Sequence, residues 1–177
     1  HPLFRLDAER ARPGGRLHAT TSAEGEFGFN PLPWITRATV KASAGERVDL
    51  QAARVGRGAE WLVDVKLRGT LGRLGVESEQ RVQQGFINRG GARVLTDSAA
   101  QWLGVVHFSA RDSLRVVWQA TRFRRKAETA VAIAAERLNN RTVSMVFQHR
   151  VGIGRSLAVG ASSQRGDPGD ERRDELF

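Results

Sequence analysis

The chain has 177 residues, a formal net charge of +9 and no cysteine. That length can form one sizeable domain. The missing thiols exclude a disulfide framework, a thiolate zinc site and a cysteine nucleophile. Nearly all the basic residues are arginine, the lysines being Lys41, Lys66 and Lys126. Such a chain can bind nucleic acid, lipid phosphates or acidic sugars, and a GC-rich genome produces the same bias with no ligand at all.

No run of about 18 apolar residues exists, so no helix is expected to cross a membrane. The chain opens at His1 without a leader and closes inside Asp174-Glu-Leu-Phe177, which reads as the start of a strand. It is therefore expected to be a fragment, and the missing leader carries no message about export.

In chain order, residues 1–15 read as a leading segment or loop, and 16–177 as one β-domain. The dominant signal is alternation with period two, which in a strand makes one apolar and one polar face. It is weak over 16–28 and 34–44, on either side of the turn-like Asn30-Pro-Leu-Pro33. It is strong over 59–69, where Trp61, Val63, Val65 and Leu67 oppose Glu60, Asp64, Lys66 and Arg68. Over 74–84, Glu77, Glu79 and Arg81 make the charged face. Trp102, Val106 and Phe108 alternate over 99–110, Leu114, Val116 and Trp118 over 114–124. Val143, Met145 and Phe147 do so over 141–150, and Leu157, Val159 and Ala161 over 155–165.

These strands run about 10 to 12 residues, where strands of soluble domains are nearer 5 or 6 and tilted membrane-spanning strands need roughly 9 to 11. The links read as alternately short (30–33, 69–73, 111–113, 151–154) and long (45–58, 85–98, 125–140, 166–173). Bacterial barrels pair short periplasmic turns with longer extracellular loops. Residues 127–138, AETAVAIAAERL, read as an amphipathic helix within a loop or as an extra hairpin arm, and their Ala and Glu content favours helix. The fold expected is all-β: an antiparallel up-and-down meander of about eight or nine strands, part of a transmembrane β-barrel in the outer membrane. The apolar faces would meet lipid. The charged face would line a polar lumen, with Glu60, Asp64, Lys66 and Arg68 near Glu77, Glu79 and Arg81 as a ladder of pairs. Absent tyrosine, Trp34, Trp61, Trp102 and Trp118 would stand in for the usual aromatic girdle.

Three stretches together carry a family resemblance: FNPLPWITRATV before a loop with GERVD, RVLTDSAAQWLGVVHFSARDSLRVVWQ, and VFQHRVGIGRSLAVGASSQ. They resemble the C-terminal outer-membrane barrel domain of uncharacterised bacterial surface proteins whose N-terminal half is a carbohydrate-binding module similar to family 9. The resemblance spans 16–177. It implies that Leu176 and Phe177 open a last strand, and that a sugar-binding module precedes the chain. Trp102, His107, Trp118 and Phe147 stand where the family often has tyrosine.

No catalytic, cofactor or metal constellation stands out. His1, His18, His107 and His149 are scattered, and no serine sits in a nucleophile elbow. Asp167, Asp170, Glu171, Asp174 and Glu175 form an acidic loop interleaved with arginines, which reads as solvated. Gly152-Ile-Gly154 reads as a hairpin turn and Arg165-Gly-Asp167 as turn chemistry. Arg122, Arg124, Arg125 and Lys126 form the densest basic cluster, expected at the outer rim against lipopolysaccharide phosphates or as a solvated loop base. The competing reading of the whole chain is a soluble Arg-rich β-domain that binds nucleic acid or another polyanion. Its weakness is that the tryptophans sit on apolar faces, not among the arginines as stacking platforms require.

Overall fold

The computed structural model describes residues 2–11, 18–152, 154–167 and 171–176. They form one antiparallel sheet of ten strands, each hydrogen-bonded to its neighbours in sequence. The strands are β1 (Pro2–Ala11), β2 (His18–Phe29), β3 (Ile35–Asp49), β4 (Arg54–Leu71), β5 (Leu74–Arg89), β6 (Ala92–His107), β7 (Asp112–Arg125), β8 (Glu136–Gly152), β9 (Arg155–Asp167) and β10 (Glu171–Leu176). The all-β meander is as expected, with ten strands in place of eight or nine. Within the leading segment, Pro2–Ala11 is a strand that pairs with β2 along its whole length. Strand Asp174–Phe177 begins earlier than expected, at Glu171, and already pairs with β9. Residues 12–17 and 168–170, with His1, Ile153 and Phe177 and their share of the predicted segment, links and strands, lie outside the described residues.

Two other expectations fail. Much of the supposed long loops 45–58 and 85–98 is strand. β3 and β4 meet across residues 50–53, and β5 and β6 across Gly90 and Gly91. The short–long alternation is lost, and among the described links only 126–135 is long. The reason is physical: these extensions are held by cross-strand backbone bonds, and neither face is continuously apolar, so hydropathy carried no signal there. Residues 127–138 form no α-helix. A single 3-10 turn occupies Thr129–Val131, a bridge joins Glu128 to Ile133, and Glu136 onward pairs with β7. Pairing along a ready sheet edge outweighs the small helix preference of a few Ala and Glu residues, which cannot offset helix nucleation alone.

The Gly90-Gly91 turn has φ of 57° and 78°. Two positive values make the primed turn that matches strand twist. A Cβ on Gly91 would meet nothing within 4 Å, so substitution there costs only backbone strain. Gly91→Val is expected to lose about 1–2 kcal/mol in denaturant unfolding, and Gly91→Asn distinctly less.

The register places the predicted apolar residues of strands 59–69, 99–110, 114–124, 141–150 and 155–165 on one face, except Phe108, which lies beyond the end of β6 at His107. One hydrogen-bonded row reads Phe27, Val40, Val63, Val82, Ala100, Ala120, Arg141. The next reads Val65, Gln80, Trp102, Trp118, Val143. Burial is inverted relative to an ordinary domain. The buried apolar side chains among the described residues are only Ala38, Ala52, Ile87 and Val94, whereas Leu157 and Val159 are 67% and 66% exposed. On the opposite face the Asp64 side chain is 15% exposed.

The sheet curls toward that opposite face. Asp49 ends β3 and Arg125 ends β7, yet their side chains are bonded. Four strand spacings in a flat sheet would separate their backbones by about 19 Å, farther than an aspartate and an arginine can bridge. Both residues belong to the polar face, so that face is concave and the apolar one convex.

Candidate functional site

The concave face carries the charge ladder. Asp64 opposes Arg81, Lys66 opposes Glu79 and Arg68 opposes Glu77 in register, with ion-pair distances of 3.9, 3.0 and 3.3 Å. Glu60 takes a partner the sequence did not suggest, Arg47 of β3 at 2.7 Å. Lys41 and Glu26 extend the series at 2.6 Å. Partly exposed pairs of this kind contribute about 0–1 kcal/mol each; their main effect is to neutralise a polar wall. His107 lies on the same face, 3.8 Å from Glu77.

The basic cluster does not act as one patch. Alternation sends Arg122 and Arg124 to the convex face and Arg125 to the concave one. Arg125 is buried, and its two terminal nitrogens bind both oxygens of Asp49 at 2.9 and 2.8 Å. Lys126 opens the long link, exposed, with its N–H bonded to the Val94 carbonyl. Arg125 is therefore corrected from a surface contact to an internal one.

Around Arg125 lies a cluster that the sequence concealed. Arg89, at the end of β5, reaches Asp49 at 3.2 Å and also pairs with Glu128 of the long link. The Ala52 N–H donates to Asp49 at 3.2 Å. Two arginines and two carboxylates thus balance in a group beyond the apolar band, Asp49 and Arg125 buried, Arg89 and Glu128 half-buried. Burial pushes the Asp49 carboxyl up. The hydrogen bonds from Arg125, Ala52 and Arg89 outweigh it, so its pKa lies below the ordinary aspartate value. These residues fell in stretches read as loops, with partners 40 and 76 positions away. No local pattern could have linked them.

At the opposite end, Ser109, Asp112 and His149 meet in the β7 entry turn. Asp112 sits in the middle: His149 Nδ1 is 2.6 Å from one of its oxygens, and the Ser109 hydroxyl donates to the other at 2.7 Å. Ser109 and His149 both bond the Asp112 carboxylate rather than each other, and the trio ties the turn to β8.

Compared with known protein families, curated proteins and solved structures, the chain matches none of them.

Proposed function

We propose that this chain forms wall strands of a bacterial outer-membrane β-barrel, a non-catalytic anchor or pore of a surface protein associated with carbohydrate handling. The observation that carries the reading is the inverted burial: large apolar side chains lie open on the convex face, while paired charges line the concave one. In water that arrangement wastes apolar surface. In lipid it is the required one, because the hydrocarbon accepts apolar side chains and the lumen accepts charge.

Two further features support it. The apolar band slips along the hydrogen-bonded rows: the row that is Val63 on β4 is Arg141 on β8, and the band sits lower still at Leu157 and Val159 of β9. A horizontal slab cutting tilted strands produces that drift. Strands also continue past the band at one end; Arg54–Ala59 of β4 adds about 20 Å. That end, with its long link 126–135, is assigned to the outside, and the turns at 30–34, 72–73 and 108–111 to the periplasm. The association with carbohydrate handling rests on the sequence resemblance alone.

Expressed behind an export signal, the chain is expected in the outer-membrane fraction, resisting alkaline extraction. Unheated, it should migrate faster than the boiled form in a detergent gel. Recovery as a soluble periplasmic monomer without detergent would end the membrane reading and favour the polyanion-binding one.

A further inference from the structure

On the convex face, a groove of about 490 Å³ opens between β4 and β8. Trp61 closes one side and Trp118 its lower edge; Ala100 and Ala120 form the floor; Arg122 and Arg141 stand at the upper rim. The floor is low because small residues face outward in adjacent rows, Ser98 beside Ala100 and Ala120. Trp102 does not fill it. Its indole lies along Gly104, where a Cβ would come within 2.7 Å of the ring, and its Nε1 donates to Ser78 at 2.9 Å.

The rim is strongly basic. Arg124 stands directly opposite Arg137, one row beyond Arg122, and Arg141 stands one row below, opposite Ala120. All four project from the convex face and are exposed. Among the residues whose side chains are described, none of the four has a carboxylate partner, in contrast to the paired arginines of the concave face. Like charges directly opposite across two strands are unfavourable, and a bound dianion would remove the repulsion.

We infer that this groove and rim bind a phosphorylated lipid of the outer leaflet, its phosphate held by Arg122 and Arg141 with Arg124 and Arg137 behind, and an acyl chain lying between Trp61 and Trp118. This rests on the barrel reading. The sequence showed a basic run, 122–126, whereas the fold rebuilds the site from alternate residues of two strands. An apolar trough running up to guanidinium forks matches an amphiphile in which acyl chain and phosphate are joined, and guanidinium pairs bind phosphate oxygens two at a time.

The test uses the full chain, folded into neutral detergent micelles and monitored by its gel-mobility shift. Binding is measured by titrating lipid A, its dephosphorylated form, and inorganic phosphate, against tryptophan fluorescence and native mass. Lipid A should bind at least tenfold more tightly than the dephosphorylated form, and inorganic phosphate at millimolar concentration should not displace it. Arg122→Gln with Arg141→Gln should weaken lipid A binding on the order of tenfold with the mobility shift unchanged. Arg73→Gln with Arg111→Gln, an equal charge change in the turns at the other end, should leave it intact. Equal binding by the Arg122/Arg141 variant, or equal loss in the control, overturns the site while the barrel stands. Failure of the wild type to show any mobility shift overturns both.

Discussion

Asp49→Asn is expected to destabilise the folded chain by about 3–5 kcal/mol, the loss typical when one partner of a buried ion pair is removed and the other charge is left buried. In wild type the carboxylate accepts from Arg125 twice, from Arg89 and from the Ala52 N–H. An amide carries no charge and can accept on one oxygen only. Arg125, 3% exposed at its side chain, would be left buried with half of its fork unmet. Glu60→Gln, at a partly exposed pair with Arg47, should cost no more than about 1 kcal/mol. Denaturant unfolding in detergent measures both. Equal, small losses would show that the Asp49 cluster does not hold the curl.

The pH dependence has a definite sign. Because the Asp49 carboxyl titrates lower when folded than when unfolded, the stability it contributes is present above the ordinary aspartate value, near pH 4. It is lost as pH falls through the folded value. Wild type and Asp49→Asn should therefore converge in acid. A gap that stays constant from pH 7 down to pH 2 would exclude the carboxylate as its cause.

Val116→Arg should cost about 2–4 kcal/mol in a bilayer, the range for a cation on the lipid face near mid-membrane. Val116 lies midway along the apolar run of β7, opposite Met145, which is itself exposed. Gln119→Arg, on the same strand but the concave face, opposite Gln101 and Thr142, should cost little. The contrast is the point: on a water-exposed sheet both substitutions place a cation in solvent and both are mild. Urea titration of protein refolded into short-chain vesicles separates the cases. If the two variants unfold together, the convex face does not contact lipid.

What the sequence disclosed follows from where alternation is strong. Trp61 to Leu67 and Leu114 to Trp118 alternate, with Leu62 and Val117 as apolar exceptions on the polar face, because the other face must be apolar along the whole run; their strands, and the face they share, were legible. The ladder was legible too, since Asp64, Lys66 and Arg68 come into register with Arg81, Glu79 and Glu77 once a tight hairpin joins β4 to β5. The extensions at Glu46–Asp49, Arg54–Gly58 and Phe86–Arg89 were not, because charges and glycines there break the pattern while the backbone pairing continues. Arg125 was misplaced for a related reason: four basic residues within five positions look like one patch, and only strand geometry parts odd from even. Phe4 and Leu6 of β1 alternate on the convex face opposite Gly25 and Ala23, but the run is short and bordered by charges.

The link between Asp49 and Arg125 also bears on how the chain assembles. Every strand pair joins neighbours in sequence, so the sheet can zip hairpin by hairpin with low loop-closure cost, the kind of topology that folds fast for its size. The Asp49–Arg125 contact spans 76 positions and requires β3 through β7 to be in place before it can form. It is consequently a late step, which fixes curvature after pairing is complete. Strands paired in order would remain an open, flexible ribbon until that bond closes, and mutations there should raise the unfolding rate far more than they slow folding.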